Sequence, residues 1–396
     1  MNVLIGWDNV AEAETMTLCL NIDETNAHVA TTVEAFRGAL AGTTWDAVVL
    51  ALSFPDETVA YDLFLETHEQ HPNAPVIGAC HQGQILQLSR FLNRGLHSHI
   101  TRDDNGEFIF LLPTVISVAH EAAQAARNKE LNLKLQEEIE SVRKLQEAVI
   151  PQDIAVPEAY EVAARYEPSQ IRVVGGQPVV LAGGDYYDVF NIDDNEQVII
   201  VGDASGHGMK ACMSIMTMHT LIQMIREERF NNTADYVVEV NKRLCANELI
   251  VEEGGFITLL YCLLNTSTHT LEWTSAGHPM PLLQDLATGE VRPLADDDAA
   301  GPPLGITDVL PYEKCAATIP ANSRVLLYTD GLAEAMADEE GDAEEFGIAG
   351  IAACLQATQH QGVDDTLEHL FQASNAHTRG AGRHDDTSVV LLQRTR

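Results

Sequence analysis

Four short segments set aspartates in glycine-flanked turns beside strand-like runs: GGDYYDVF (183–190), VGDASGHG (201–208), YTDG (328–331) and HDDTSVVLL (384–392). A carboxylate at a strand end beside glycine is held rigidly and still leaves space for an ion. Four converging carboxylates repel one another strongly unless divalent cations neutralise them. Ligation by oxygen alone selects Mg2+ or Mn2+ over zinc. Any one segment is most simply a turn. The set of four points to metal-assisted chemistry.

Positioning such turns takes a scaffold, and 396 residues with 45% hydrophobic content suffice for two domains. In residues 1–114 the apolar runs VLIGW, AVVLALSF, APVIGAC and HSHIT are separated by stretches of helical period, among them 27–40 and 59–68. That rhythm predicts a small, doubly wound α/β domain. Residues 115–150 read as a helical linker, without Gly or Pro from His120 to Val149. Val118, Ala125, Asn132, Ile139 and Gln146 fall on one heptad position, and Glu121, Asn128, Leu135, Val142 and Val149 on the other. The linker is either a solvated connecting helix or a parallel coiled coil that makes a homodimer, and Pro151 ends it. Residues 151–396 read as one large α+β domain. Strands are expected around 198–201, 256–264, 270–274, 324–328 and 388–392, and helices over 209–226, 233–247 and 364–376.

Fifty-nine acidic against 23 basic residues give a net charge of −36, and only six of the bases are Lys. Such a surface repels phosphate backbones and anionic lipid, so nucleic acid and membrane are not expected partners. No stretch comes near the roughly 18 apolar residues of a membrane span. The opening MNVLIGWDNV lacks the basic start of a secretory signal. Seven cysteines, scattered and never in a CxxC pair, read as reduced thiols in a cytoplasmic protein. Low Lys with abundant acid also fits a salt-adapted surface.

In order, GGDYYD, GDASGHG and the Met-rich stretch after it, FITLLYCLLN, WTSAGHPMPLL, LLYTDGLAEA and HDDTSVVLL resemble the metal-dependent PPM (type 2C) serine/threonine protein phosphatases. Within them the chain looks like the bacterial subgroup of sigma-factor regulators related to sporulation protein SpoIIE. The similarity covers essentially all of 151–396, and KLQEAVIP (144–151) resembles the stretch leading into that domain. The resemblance implies a β-sandwich with helices on its outer faces and two Mn2+ or Mg2+ ions at one end. Asp203 would bridge the ions, Asp185 and the carbonyl of Ala204 would hold one, and Asp330 and Asp385 the other. Asp188 and Asp386, beside ligand positions, would either support the ligands or be exposed strand-end acids.

The implied activity is phosphoserine/phosphothreonine protein phosphatase, acting on a phosphorylated STAS-domain anti-sigma antagonist in partner switching. A non-catalytic adaptor with a phosphatase-like fold is the competing reading. A DNA-binding response regulator is disfavoured by the acidic output domain. His207 and His278 are more simply turn-fixing than catalytic. Met209, Met213, Met216, Met218 and Met224 read as core packing before a partner-binding face. Arg165 and Arg172 are the nearest candidates for a phosphate-binding arginine, and the acidic run 334–347 reads as a solvated loop.

The N-terminal rhythm resembles a two-component receiver domain. Aligned on that pattern, Ala51 stands at the phosphoacceptor position, Trp7 and Asp8 at the acidic pair, Cys80 at the switch hydroxyl and Arg102 at the usual Lys. Aspartyl phosphate cannot form on Ala, which implies a degenerate receiver that senses without phosphorylation.

Overall fold

The computed structural model describes every residue except 22–24, 104, 152, 172–178, 181–182, 207, 227, 229, 248–254, 337–343 and 380–384. It divides into two compact units, Met1–Leu135 and Gln136–Arg396.

The first unit alternates β1 (Asn2–Gly6), α1 (Val10–Leu20), β2 (Asn26–Ala30), α2 (Val33–Gly42), β3 (Ala47–Ala51), α3 (Glu57–Gln70), β4 (Val76–His81), α4 (Ile85–Leu92) and β5 (Ser98–Arg102). All pairings are parallel, in the order β2-β1-β3-β4-β5, a doubly wound arrangement. Every residue of β3 is buried, as expected where helices cover both faces. Asn9, Thr32 and Asp56 cap α1, α2 and α3 by accepting backbone N–H groups. The helical period expected from residue 27 is overridden at its start, because Asn26–Ala30 pair with β1 as an edge strand.

Helix α5 (Phe108–Glu147) begins inside this unit and carries Pro113. Phe108, Ile109, Leu112, Ile116 and Ala119 recur every three or four residues in the unit's core. An 18-residue window of α5 is long and apolar enough to cross a membrane by composition alone, contrary to the expectation that none comes near. Only 28% of that window is buried, in the core-facing stripe just named, while Phe110, Leu111 and Val118 are exposed.

The second unit continues with β6 (Tyr160–Glu167), β7 (Gln170–Ile171), β8 (Val179–Val180), β9 (Asp185–Asn191), β10 (Glu196–Ala204), α6 (Met209–Ile225), α7 (Thr233–Cys245), β11 (Ile257–Asn265) and β12 (Thr270–Ala276). There follow β13 (Leu282–Asp285), β14 (Val291–Pro293), β15 (Cys315–Thr318), β16 (Ser323–Tyr328), α8 (Asp330–Ala333), α9 (Gly347–Ala357), α10 (Val363–His377) and β17 (Thr387–Arg394). Two five-stranded antiparallel sheets form, β15-β12-β11-β10-β9 and β14-β13-β16-β17-β6. Between them lie Tyr187, Ile199, Val201, Leu260, Trp273, Val325, Leu327, Val390 and Leu392. The outer face of the first sheet packs against α6 and α7, and that of the second against α9 and α10. The result is a helix-flanked sandwich.

The methionines of α6 divide. Met218 is buried in the core, while Met209, Met213 and Met224 are exposed, so most of the expected core stripe faces outward.

Candidate metal centre

The antiparallel pairing of β9 with β10 puts Asp185 directly opposite Asp203. In the other sheet, Asp330 follows the end of β16 and Asp385 precedes the start of the antiparallel β17, so both stand at one end of that pair. Asp203 feels the charge of Asp330 and Asp385 across the gap between the sheets. The four turn carboxylates therefore gather at one end of the sandwich, each on a different element.

Close backbone approach makes this possible. A Cβ on Gly184 would sit 2.7 Å from the Ala204 carbonyl oxygen and 3.1 Å from Asp203 Oδ1. On Gly183 it would strike the Asp386 carboxylate, and on Gly331 the Asp386 carbonyl. Glycine is required at these positions because neighbouring backbone, or at Gly183 the buried Asp386 carboxylate, occupies the space of a side chain.

Asp386 is fully buried and accepts from the backbone N–H of Ser169, at 2.7 Å, and of Gly184. It thus pins the turn before Asp185, in keeping with a supporting role. Asp188 does not. It lies three residues from Asp185, hence on the opposite face of β9. There it accepts from Tyr186 Oη at 3.1 Å and Gln223 Nε2 at 3.3 Å, under α6. The alternative of an exposed acid fails as well, since Asp188 is 8% exposed.

Burial, joined at three of the four by neighbouring carboxylates, raises the pKa of these acids. Burial first, then Asp203 and Asp386, push the Asp185 carboxyl well above its ordinary range. Asp203 is pushed up to about 9 by burial, then by Asp330, Asp385 and Asp386. Asp385 rises to about 6, chiefly by burial, and Asp330 is raised for the same reason. Oδ1 of Asp203 is buried without a hydrogen-bond partner among the described residues. Among the described residues no three acidic, His or Cys side chains close into a cage by themselves. The donor set is all oxygen, it repels itself, and it holds an orphaned carboxylate oxygen at its centre. This chemistry fits divalent cations that use main-chain and water oxygens as well.

His278 is 2% exposed. Its Nε2 lies 3.1 Å from the Tyr328 carbonyl and its Nδ1 2.9 Å from Thr258 Oγ1, so it links β16 to β11. Burial lowers its pKa to about 3, leaving a neutral structural imidazole. His207 and Arg172 lie outside the described residues, as do 337–343 of the acidic run. Arg165 is held by Glu167 and Glu368 and lies over the Phe371 ring, a local structural role.

Two groups at the site went unread in the sequence. Thr329, inside YTDG, donates its hydroxyl to Asp185 Oδ2. Gln146, at the end of α5, hydrogen-bonds the backbone on both sides of Gly184. YTDG itself could have suggested the first, since a hydroxyl beside a turn aspartate is a ready donor. The second lies in KLQEAVIP and on a heptad position read above as facing a partner helix; the structure instead buries it against β9.

A family described as Stage II sporulation protein E (SpoIIE) matches residues 193–395. The phosphoserine phosphatase RsbP of Bacillus subtilis (strain 168) is 25% identical over 205 residues, 52% of this chain and 47% of its own. Protein IcfG of Synechocystis sp. (strain ATCC 27184 / PCC 6803 / Kazusa) is 22% identical over 281 residues, 65% of this chain and 41% of its own. The matches thus span less than half the length of both curated relatives. The SiaA-PP2C domain of Pseudomonas aeruginosa superposes with a TM-score of 0.53 at 18% identity, over 68% of this chain and 99% of that one. The second unit has a PP2C-like phosphatase fold.

Proposed function

On the premise that the chain belongs to the SpoIIE family, we propose that its C-terminal unit is a divalent-metal-dependent phosphoserine/phosphothreonine protein phosphatase. The observation that carries the proposal is the gathering of Asp185, Asp203, Asp330 and Asp385 at one end of the sandwich, with Asp203 Oδ1 buried and unpartnered among the described residues. Asp203 would be shared by two Mn2+ or Mg2+ ions, with Asp185 and the Ala204 carbonyl on one and Asp330 and Asp385 on the other. When bound, such a pair activates a water for in-line attack on phosphorus and offsets the developing charge. The chain's own part is to aim the carboxylates. Asp386 fixes the Gly184 backbone, Thr329 orients Asp185, and His278 ties the strand before Asp330 to β11.

The substrate class rests on the family resemblance: a phosphorylated STAS-domain antagonist of an anti-sigma factor, in a partner-switching pathway. The first unit would act as a degenerate receiver, supported by Ala51 and by the capture of Arg102 between Asp8 and Glu12, at 2.8 and 2.9 Å. A homodimer would form through the linker helix, where Val118 and Leu135, one on each heptad position, are exposed. The division into 1–114, a linker 115–150 and 151–396 remains the proposed functional organisation.

The test is hydrolysis of p-nitrophenyl phosphate and of a phosphoserine protein by the full chain with millimolar Mn2+, beside Asp203→Asn. Mn2+-dependent turnover lost in the variant is expected. Calorimetry showing no Mn2+ binding would instead favour a non-catalytic adaptor.

A further inference from the structure

Gln146, in the last turn of α5, is fully buried. Its amide makes two hydrogen bonds to one segment: Oε1 accepts from the Gly183 N–H at 2.7 Å, and Nε2 donates to the Asp185 carbonyl at 3.3 Å. Among the described strands β9 is the edge of its sheet, so alternate backbone groups point away from β10 with no described strand to meet them. Gly184 turns its carbonyl inward and accepts from the Ala204 N–H at 2.9 Å. Residues 183 and 185 face the other way. Both are buried, and one primary amide serves the N–H of the first and the carbonyl of the second.

We infer that Gln146 is a positioning residue for the metal centre. It fixes the backbone on either side of Gly184 and thereby the direction of the Asp185 carboxylate. An edge strand with an unpaired outer side is free to twist, and a carboxylate at its first residue would swing with it. The amide removes that freedom. Gln146 belongs to α5 and not to the sandwich, so the strand's register is tied to the last turn of that helix. The geometry stands by itself; its consequence for metal binding rests on the metal-dependent reading above.

The test compares three full-length variants. Gln146→Met keeps the length and neither hydrogen bond, Gln146→Glu keeps only the acceptor for Gly183, and Leu145→Ala changes an exposed side chain on the same turn. Amide exchange at Gly183 is read in chelated protein, Mn2+ affinity by calorimetry, and kcat and KM on p-nitrophenyl phosphate at saturating Mn2+. In Gln146→Met, exchange at Gly183 should quicken about tenfold or more. Mn2+ should bind about tenfold or more weakly, and kcat should fall with KM within about twofold of wild type. Leu145→Ala should match wild type throughout. Unchanged exchange in Gln146→Met overturns the inference, as does faster exchange with wild-type Mn2+ affinity and kcat. Should Gln146→Met not fold, Gln146→Glu decides: weaker Mn2+ binding with Gly183 still protected supports the role, and wild-type binding overturns it. A wild-type chain that binds no Mn2+ overturns the metal-dependent reading and the positioning role together. Loss confined to the Gln146 variants, with wild type active, leaves that reading standing.

Discussion

The hydroxyl of Thr329 donates to Asp185 Oδ2 at 2.7 Å and accepts the Ser388 N–H at 2.8 Å. One side chain thus ties the first carboxylate of one sheet to β17, a central strand of the other. All three residues are buried. Thr329→Val keeps the shape and leaves a carboxylate oxygen and an N–H unpaired. It should cost about 2–3 kcal/mol in urea unfolding and weaken Mn2+ binding about tenfold. Wild-type values for both quantities would show that the bond is incidental.

The acids of the centre also dictate a pH dependence for the metal-free protein. Asp203 and Asp385 titrate near 9 and 6 when folded, with Asp185 raised as well, against the ordinary value of 3.8. The folded state therefore binds more protons than the unfolded state above about pH 4. Their contribution is fully present below that pH and is lost as pH rises through 6 and on to 9. The melting temperature in EDTA should fall from about pH 5 to pH 8.5, and Mn2+ should reverse the fall. Asp203→Asn should flatten the slope and raise the apo melting temperature at the alkaline end. A variant that melts lower than wild type there would contradict the repulsion argument.

In the N-terminal unit, Arg102 has a side chain 3% exposed, stacks over Trp7 at 4.4 Å and is paired with Asp8 and Glu12. Burial alone would raise the Asp8 carboxyl, but Ser53 and Arg102 hold it below its usual range. Arg102→Ala would leave both acids without their cation and should destabilise the unit by about 3 kcal/mol, read by chemical denaturation of the full chain. Acetyl phosphate should leave no covalent adduct on the wild-type protein, since Ala51 closes β3 where the phosphoacceptor would stand. An aspartyl adduct found by mass spectrometry would refute the degenerate-receiver proposal.

A net charge of −36 implies self-repulsion that salt relieves. The melting temperature should climb by several degrees between about 10 and 500 mM NaCl, where the Debye length shrinks from about 30 Å to a few ångströms. Indifference to salt would mean that the surplus acid is too dispersed to matter.

What could be read from the sequence was whatever has a local period or a local turn. The helices Met209–Ile225 and Thr233–Cys245 announce themselves by 3.6-residue spacing, and the four aspartates by their glycines. Edge strands such as Asn26–Ala30 and Cys315–Thr318 do not, because pairing with a distant strand, and not their own composition, makes them extended. The side of β9 taken by Asp188 was available in principle: an odd offset from Asp185 in a strand means the opposite face. Gln146 was legible only in part: the heptad and KLQEAVIP single it out, but neither reveals that it will meet a strand some forty residues later and not a partner helix.

His278 carries a consequence for kinetics. Held neutral down to about pH 3 between Thr258 and the Tyr328 carbonyl, its ring keeps the same two hydrogen bonds at every pH at which the enzyme would be assayed. An acid limb near pH 6 in a rate profile therefore cannot be credited to this imidazole, however suggestive the value. It would report protons leaving carboxylates such as Asp385 as the centre fills. Raising the Mn2+ concentration should then slide that limb to lower pH, a displacement that titration of a metal-independent general base would not produce.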